Sequence, residues 1–370
     1  MGQHHSRKAS TRDLTLFEVA EWSDDKARTF IENIVGPNGQ QVCPKCGLVD
    51  VHYKRRHGRY SCRGVGCSHT FSVTSASPFR GRKLPVRQIL RAIVLFVHES
   101  QGHSANQLQA KLKVQYKTAF VLQHKIRDAL TRSAPQAKLE GTVEIDGAYI
   151  SGRIRKGRKM KHKRRPPAIP VKYGHRAKIP NRPNPRHPNQ RVLAVCRQLG
   201  APGTGAALTA VEIIKREHKH ECEAVALKWI KPGATVRTDE CTGYGNLKHL
   251  GFIHQTVNHS IEFSTDDGIS ENQAESFFSR FRHMIWEHHR ITPHYMIDYA
   301  WECAFREDMR RHTLRETTEL LIRRVFCAGP SADWTGYWQG NHRRVEKMLD
   351  PASQNPVRDA YTASDPPERE

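Results

Sequence analysis

Apolar residues first settle into a helical period at Leu84, where Ile89, Leu90, Ile93, Val94 and Val97 fall on one face. Gly102 ends that helix and Ser104 is placed to cap the next. The run SANQLQAKLKVQYKTAFVLQHKIRDAL predicts a short helix, a turn near Val114 and a longer helix to about Leu130. After Pro135 the period changes to two. In TVEIDGAYISG, residues 142–152, Val143 and Ile145 alternate with Glu144 and Asp146, so two carboxylates leave one side of a ribbon whose other side is apolar. RVLAVCR (191–197) and AALTAVEII (206–214) read as further strands, followed by a helical patch around EAVALKWI. Then come a strand ATVRTDE ending on Asp239, a strand GFIHQTV, and a helix beginning near Ser270.

Three strands, a helix, a strand, a further strand and a helix is the order of an α/β domain of the ribonuclease H-like type, a mixed sheet with flanking helices. The preceding helices have helix-turn-helix spacing, although the same pattern suits a plain helical bundle. The longer helix is expected to expose Lys117, Gln123, Lys125 and Arg127 toward a major groove or phosphates.

Charge sharpens the picture. Sixty Lys and Arg against 37 Asp and Glu give a formal net charge of +23, which points to a polyanionic partner, with nucleic acid first. No stretch is long and apolar enough to suggest a membrane span, and the opening MGQHHSRKAS lacks the apolar stretch of a signal peptide, so a cytoplasmic protein without membrane contact is expected.

Nine cysteines are unevenly spread: Cys43 and Cys46 in CPKCG, Cys62 and Cys67 in SCRGVGC, and five single ones. One tight cluster within an odd total speaks for a metal rather than a disulfide framework. The two pairs predict a structural Cys₄ zinc site, with His57 or His69 as substitutes for one cysteine, in a segment too small to fold on its own core. Arg55, Arg56, Arg59, Tyr60 and Arg63 along this ribbon suit phosphate contact or a solvated face.

The acids acquire a meaning in this setting. Phosphodiester cleavage and strand transfer use two metal ions about 4 Å apart, and hard Mg²⁺ (or Mn²⁺) accepts carboxylate ligands with water and phosphate completing its shell. Asp146 is expected to bridge both ions, with Asp239 and Glu275 holding one each. Glu144 is expected beside the site or on the surface. In ENQAESFFSRFRHMIWE, Phe277, Phe278, Phe281 and Ile285 form a packing face, while Asn272, Glu275, Ser279 and Arg282 form a polar one.

CPKCG with its following cysteine pair, the helix-turn-helix pattern, VEIDGAYISG, TDECTGYGNL, VNHSIEF and NQAESFFSRFR together resemble, in this order, the zinc-ribbon DDE transposases of bacterial insertion sequences, the ISXO-two-like group. The resemblance spans about residues 13–310. It implies a ribonuclease H-like domain binding two Mg²⁺ ions through Asp146, Asp239 and Glu275. Some members of the wider group use Asn as the third ligand, which here would be Asn272; Glu275 is expected because carboxylate binds Mg²⁺ better. The resemblance also implies DNA phosphate contact by Arg282, seven residues after that Glu, with Arg280 nearby, and it matches His259 to a histidine without an assigned role.

The domains expected are an N-terminal helical segment (1–35), a zinc ribbon (36–80), a helix-turn-helix segment (81–134), the transposase domain (138–310) and a helical and disordered tail (311–370), disordered after about residue 345. A basic, Pro-rich insertion at 153–190 departs from the compact pattern and reads as an arm that orders on DNA or as an inert linker. The expected activity is cleavage at element ends and joining to target DNA, with the terminal repeats and target duplex as partners and a homo-oligomer on DNA. The rivals are a nuclease on the same fold and a zinc-ribbon DNA-binding regulator derived from an inactive transposase.

Overall fold

The computed structural model describes residues 9–36, 39–49, 52–55, 58–151, 190–201, 204–256, 272–289 and 291–354. Arg56, His57, His259, the basic segment up to residue 189 and the last sixteen residues, 355–370, lie outside them.

Two short helices open the described chain: α1 (Leu16–Ala20), capped by the Thr15 hydroxyl accepting from the Glu18 amide, and α2 (Asp24–Val35), capped in the same way by Ser23. The ribbon follows as an antiparallel sheet of β1 (His52–Arg55), β2 (Arg59–Cys62) and β3 (Thr70–Phe71). Then come α3 (Val86–His98), α4 (Ala105–Leu112) and α5 (Tyr116–Arg132). Ser104 and Gln107 close a capping box at the start of α4, and Lys113, at φ 53°, turns the chain into α5.

A five-stranded sheet follows among the described residues: β4 (Thr142–Ser151), β5 (Gln190–Leu199), β6 (Ala206–Ile214), β7 (Thr235–Thr238) and β8 (Ile253–Thr256). Their spatial order is β6-β5-β4-β7-β8. Strand β5 runs antiparallel to both β6 and β4, whereas β7 pairs parallel with both β4 and β8. Helix α6 (Lys219–Trp229) supplies the crossover from β6 to β7, and α7 (Asn272–Glu287) lies against β4 and β5. The predicted strands and helices of this region are found within a few residues of their expected bounds.

Helix α8 (Met296–Asp308) packs on β6 with one side and on α5 with another, and α9 (Leu314–Cys327) returns to α2, α3 and α5. The segment expected as a tail therefore supplies Leu321, Ile322, Val325 and Phe326 to the helical core. Past residue 345 the chain is still packed: the Leu349 amide donates to the Ile213 carbonyl at 2.9 Å, and Glu346 pairs with Arg191 at 2.7 Å. Disorder from about 345 is thus corrected as far as Gln354.

Helix α5 is a central helix rather than an open one, which corrects its expected exposure. Lys117 is exposed, but Lys125 is half-buried, and Gln123 and Arg127 are buried. Arg127 donates to Glu302 of α8 at 2.5 Å, with Arg306 on the other carboxylate oxygen at 2.7 Å. A second buried cluster joins Arg343 to Asp298 at 2.7 Å and to Asp128 at 3.4 Å. The helical period could not separate these charges from surface ones, because their partners lie more than a hundred residues away.

Although burial opposes its ionisation, Arg127 and Arg306 hold the Glu302 carboxyl down at about 2, below its ordinary 4.5. The resulting stabilisation is complete above about pH 4.5 and is lost as pH falls toward 2. Glu302→Ala leaves two guanidinium groups without their acid and is expected to cost about 3–5 kcal/mol in denaturant unfolding. Glu302→Gln should cost less and flatten the acid limb of stability against pH; an unchanged acid limb would count against the pair.

Candidate active site and zinc centre

The four ribbon cysteines converge. Their Sγ atoms all lie within 4.8 Å of one another, with Cys43 and Cys67 3.9 Å apart and Cys46 and Cys62 3.5 Å apart. A tetrahedral zinc with bonds of about 2.3 Å requires sulfur separations of about 3.8 Å, so the set fits zinc without rearrangement. His69 is not part of the group; it stacks on Phe71 instead. A Cβ on Gly64 would come within 2.4 Å of the tip of the exposed Leu48 side chain, which would have to swing aside, next to the sulfurs of Cys62 and Cys46.

In the sheet, register does the positioning. On the parallel pair, Glu144 of β4 stands opposite Arg237 of β7. Two residues further along each chain come Asp146 and Asp239, so both acids leave at one level where β7 ends, on strands spaced about 4.8 Å. Asp146 accepts from the Gly147 amide at 2.6 Å and Asp239 from the Cys241 amide at 3.0 Å. Both charges reach one thiol. Burial pushes the Cys241 thiol up, and the carboxylates of Glu217, Asp239 and Asp146 push it further.

Of the two places expected for Glu144, beside the site or on the surface, it takes the first, and it is the more informative of the two acids on this ribbon. It is 1% exposed, and one of its oxygens accepts from the amides of Gln273 and Ala274, at 3.0 and 3.1 Å. Those amides belong to the first turn of α7, where a helix leaves donors unpaired and favours negative charge. Burial raises the Glu144 carboxyl to about 7, against the pull of the two amides, Arg197 and Arg237. Glu144 therefore ties the start of α7 to the strand that carries Asp146.

Glu275 follows directly on that anchored turn and is exposed, as are Ser279 and Arg282; Ala274, Phe277, Phe278 and Phe281 are buried. The predicted two faces of this helix are present. Arg280 is half-buried and occupied by Glu307 at 2.6 Å, so it does not stand free for phosphate. Among the described residues, Asp146, Asp239 and Glu275 do not together form a metal-binding group like that of the four cysteines. Asn272 is the first residue of α7.

Sequence reasoning missed Glu217, between β6 and α6. Its carboxylate accepts from the buried Tyr244 hydroxyl at 3.0 Å and lies so close to β4 that a Cβ on Gly147 would meet it at 2.3 Å. Nothing in KREHKHE marks it out from its neighbours, and the only sequence hint was the glycine after Asp146. Gly147→Ala is expected to displace Glu217 and lower thermal stability slightly, by about 1–2 kcal/mol, while leaving zinc content unchanged; equal melting temperatures would show that Glu217 swings aside freely.

Residues 138–308 match the ISXO2-like transposase domain, and residues 22–70 match the transposase zinc-ribbon domain. An uncharacterized protein in transposable element ISH50 of Halobacterium salinarum is 30% identical over 139 residues, 37% of this chain and 45% of that protein. The match thus spans less than half the length of that relative. With the cysteine cluster inside one matched segment and the mixed sheet inside the other, the chain carries a segment similar to the ISXO2-like transposase domain, preceded by one similar to the transposase zinc-ribbon domain.

Proposed function

We propose that this chain is an insertion-sequence transposase that cleaves DNA at element ends and joins the freed 3′-hydroxyl to target DNA, with Asp146, Asp239 and Glu275 as its catalytic acids. The observation that carries this reading is the shared level of Asp146, within β4, and Asp239, just past the end of the parallel neighbour β7, with α7 clamped beside them by Glu144. The strand order β6-β5-β4-β7-β8 supports a ribonuclease H-like sheet, in which the first acid lies on the central strand.

The donor set is all hard oxygen, which suits two Mg²⁺ or Mn²⁺ ions. When bound, such ions activate the attacking oxygen and stabilise the leaving one. The protein's own residues set the geometry. The Gly147 and Cys241 amides orient one oxygen each of Asp146 and Asp239. Glu144 fixes the start of α7 and hence the backbone of Glu275, and Arg282, exposed two turns later, is placed for a DNA phosphate. Helices α4 and α5 with the Lys113 turn serve as a helix-turn-helix unit. Of the cations expected there, Lys117 in the first turn of α5 is the one left to DNA. Duplex DNA, a homo-oligomeric assembly on it and a cytoplasmic setting complete the reading.

That the three acids do not together form such a group among the described residues favours one second reading, a DNA-binding regulator without cleavage. Purified full-length protein incubated with supercoiled DNA carrying element ends distinguishes the readings. Mg²⁺-dependent nicking followed by strand joining is expected; nicking without joining would leave a nuclease, and binding without nicking a regulator. Glu275→Gln should abolish nicking. If Asn272→Ala does so instead, the third acid's place belongs to Asn272.

A further inference from the structure

A cavity of about 420 Å³ opens between the start of α4, the first half of α5 and the residues that follow α7. It is remote from the acids: α7 offers Glu275 at one end and His288 and His289 just beyond the other, roughly 20 Å away along the helix. Its walls are aromatic. Tyr116, Phe120, Tyr295 and Tyr337 line it, with Tyr116 stacked on Phe120 at 6.1 Å and Tyr337 on Trp334 at 5.5 Å.

Its deepest polar group is His124, 1% exposed and stacked on Trp334 at 4.4 Å. Among the described residues, neither His124 ring nitrogen has a hydrogen-bond partner, nor has Nε2 of His288, which lines the same cavity. A buried donor or acceptor left unpaired costs about 1–3 kcal/mol, so such groups ordinarily meet a ligand or water. Burial, with Arg127 nearby, keeps the His124 imidazole neutral, so one of its nitrogens donates and the other accepts. Lys117, exposed at the rim, adds a cation.

We infer that this cavity captures one unpaired nucleobase of the bound DNA. Aromatic walls accept the two faces of any base, the histidines meet the polar groups on its edge, and Lys117 takes the adjoining phosphate. The volume lies within the roughly 300–1,000 Å³ typical of small-ligand sites. A base swung out of a duplex loses its stacking and pairing, and a preformed aromatic slot replaces the stacking. The inference rests on the DNA substrate of the proposed function and adds that the bound duplex is opened at one position away from the acids.

Photo-cross-linking tests it. A 5-iododeoxyuridine is moved through duplex DNA that contains one mismatched or unpaired position, the full-length protein is bound and irradiated, and cross-linked peptides are identified. Cross-links to the Tyr116–Phe120 segment are expected from the unpaired position, roughly tenfold above paired positions. Tyr337→Ala, which removes one aromatic wall from outside the helix-turn-helix unit, should remove them while duplex binding stays within about twofold. Should that variant fold poorly, Thr292→Trp, which narrows the cavity from the segment after α7, is the alternative. Cross-links that map elsewhere, or that survive both substitutions with DNA still bound, overturn the base pocket alone. Failure to bind any DNA overturns the pocket and the transposase reading together.

Discussion

Asp146→Asn is expected to lower Mg²⁺-dependent DNA cleavage by at least about three orders of magnitude, equivalent to about 4 kcal/mol of barrier, while DNA binding persists. The substitution keeps the size of the side chain and its acceptor oxygen for the Gly147 amide, so the local fold has no reason to change. What disappears is the charge a hard cation requires at the centre of the sheet. Binding without metal should tighten slightly, because one negative charge near phosphate is gone. Glu144→Gln is the internal control. It too removes a charge from the same face of β4, but from a buried group that holds two amides and points away from solvent. An amide oxygen still accepts from those donors, so cleavage should fall within about tenfold, with a stability loss near 1 kcal/mol, typical of a weakened helix cap. Measured side by side in a plasmid-nicking assay, the two variants separate a metal-holding acid from a positioning one. If Asp146→Asn cuts at a near-normal rate, the catalytic reading of β4 is wrong.

Much of this arrangement was legible because it follows from local periodicity. The alternation in TVEIDGAYISG placed Glu144 and Asp146 on one face of a strand, and AALTAVEII reads as a strand with the bounds that the fold gives it. The Ser104 cap and the turn before α5 followed from side-chain chemistry within four residues. What stayed hidden depends on distant partners. Whether Glu144 stood beside the site or on the surface could not be read until α7, more than a hundred residues later, laid its open amides on it. Arg127 looked like a DNA contact until Glu302 of α8 enclosed it. Glu217 had no signal beyond the glycine that makes room for it. A charge on an amphipathic helix reads as exposed by default, and only tertiary packing reveals which charges are neutralised in the interior.

Removing the metal from the ribbon is expected to unfold it and to leave the rest of the chain folded. The ribbon has almost no core of its own: Cys43, Cys62, Cys67 and Phe71, with Tyr60 packed against them. Three of its four buried residues are cysteines whose sulfurs a metal ion would hold together, and the three strands are two to four residues long. Structural zinc in comparable small modules supplies about 10–16 kcal/mol of apparent binding energy, far more than so few side chains contribute. Val73 and Phe79, just beyond the ribbon, already belong to the helical core formed with α3, α5 and α9, so unfolding should stop near them. Protein purified without added zinc should carry about one equivalent. A strong chelator should release it, expose β1–β3 to proteolysis and hydrogen exchange, and leave the melting of the helical core and sheet nearly unchanged. Cys43→Ser, at a fully buried sulfur, should lose the metal on purification, whereas a reducing agent alone should do nothing, since the thiols are held by a cation and not by a disulfide. Less than a tenth of an equivalent of zinc, together with ribbon amides indifferent to chelator, would show that the four sulfurs converge without a metal.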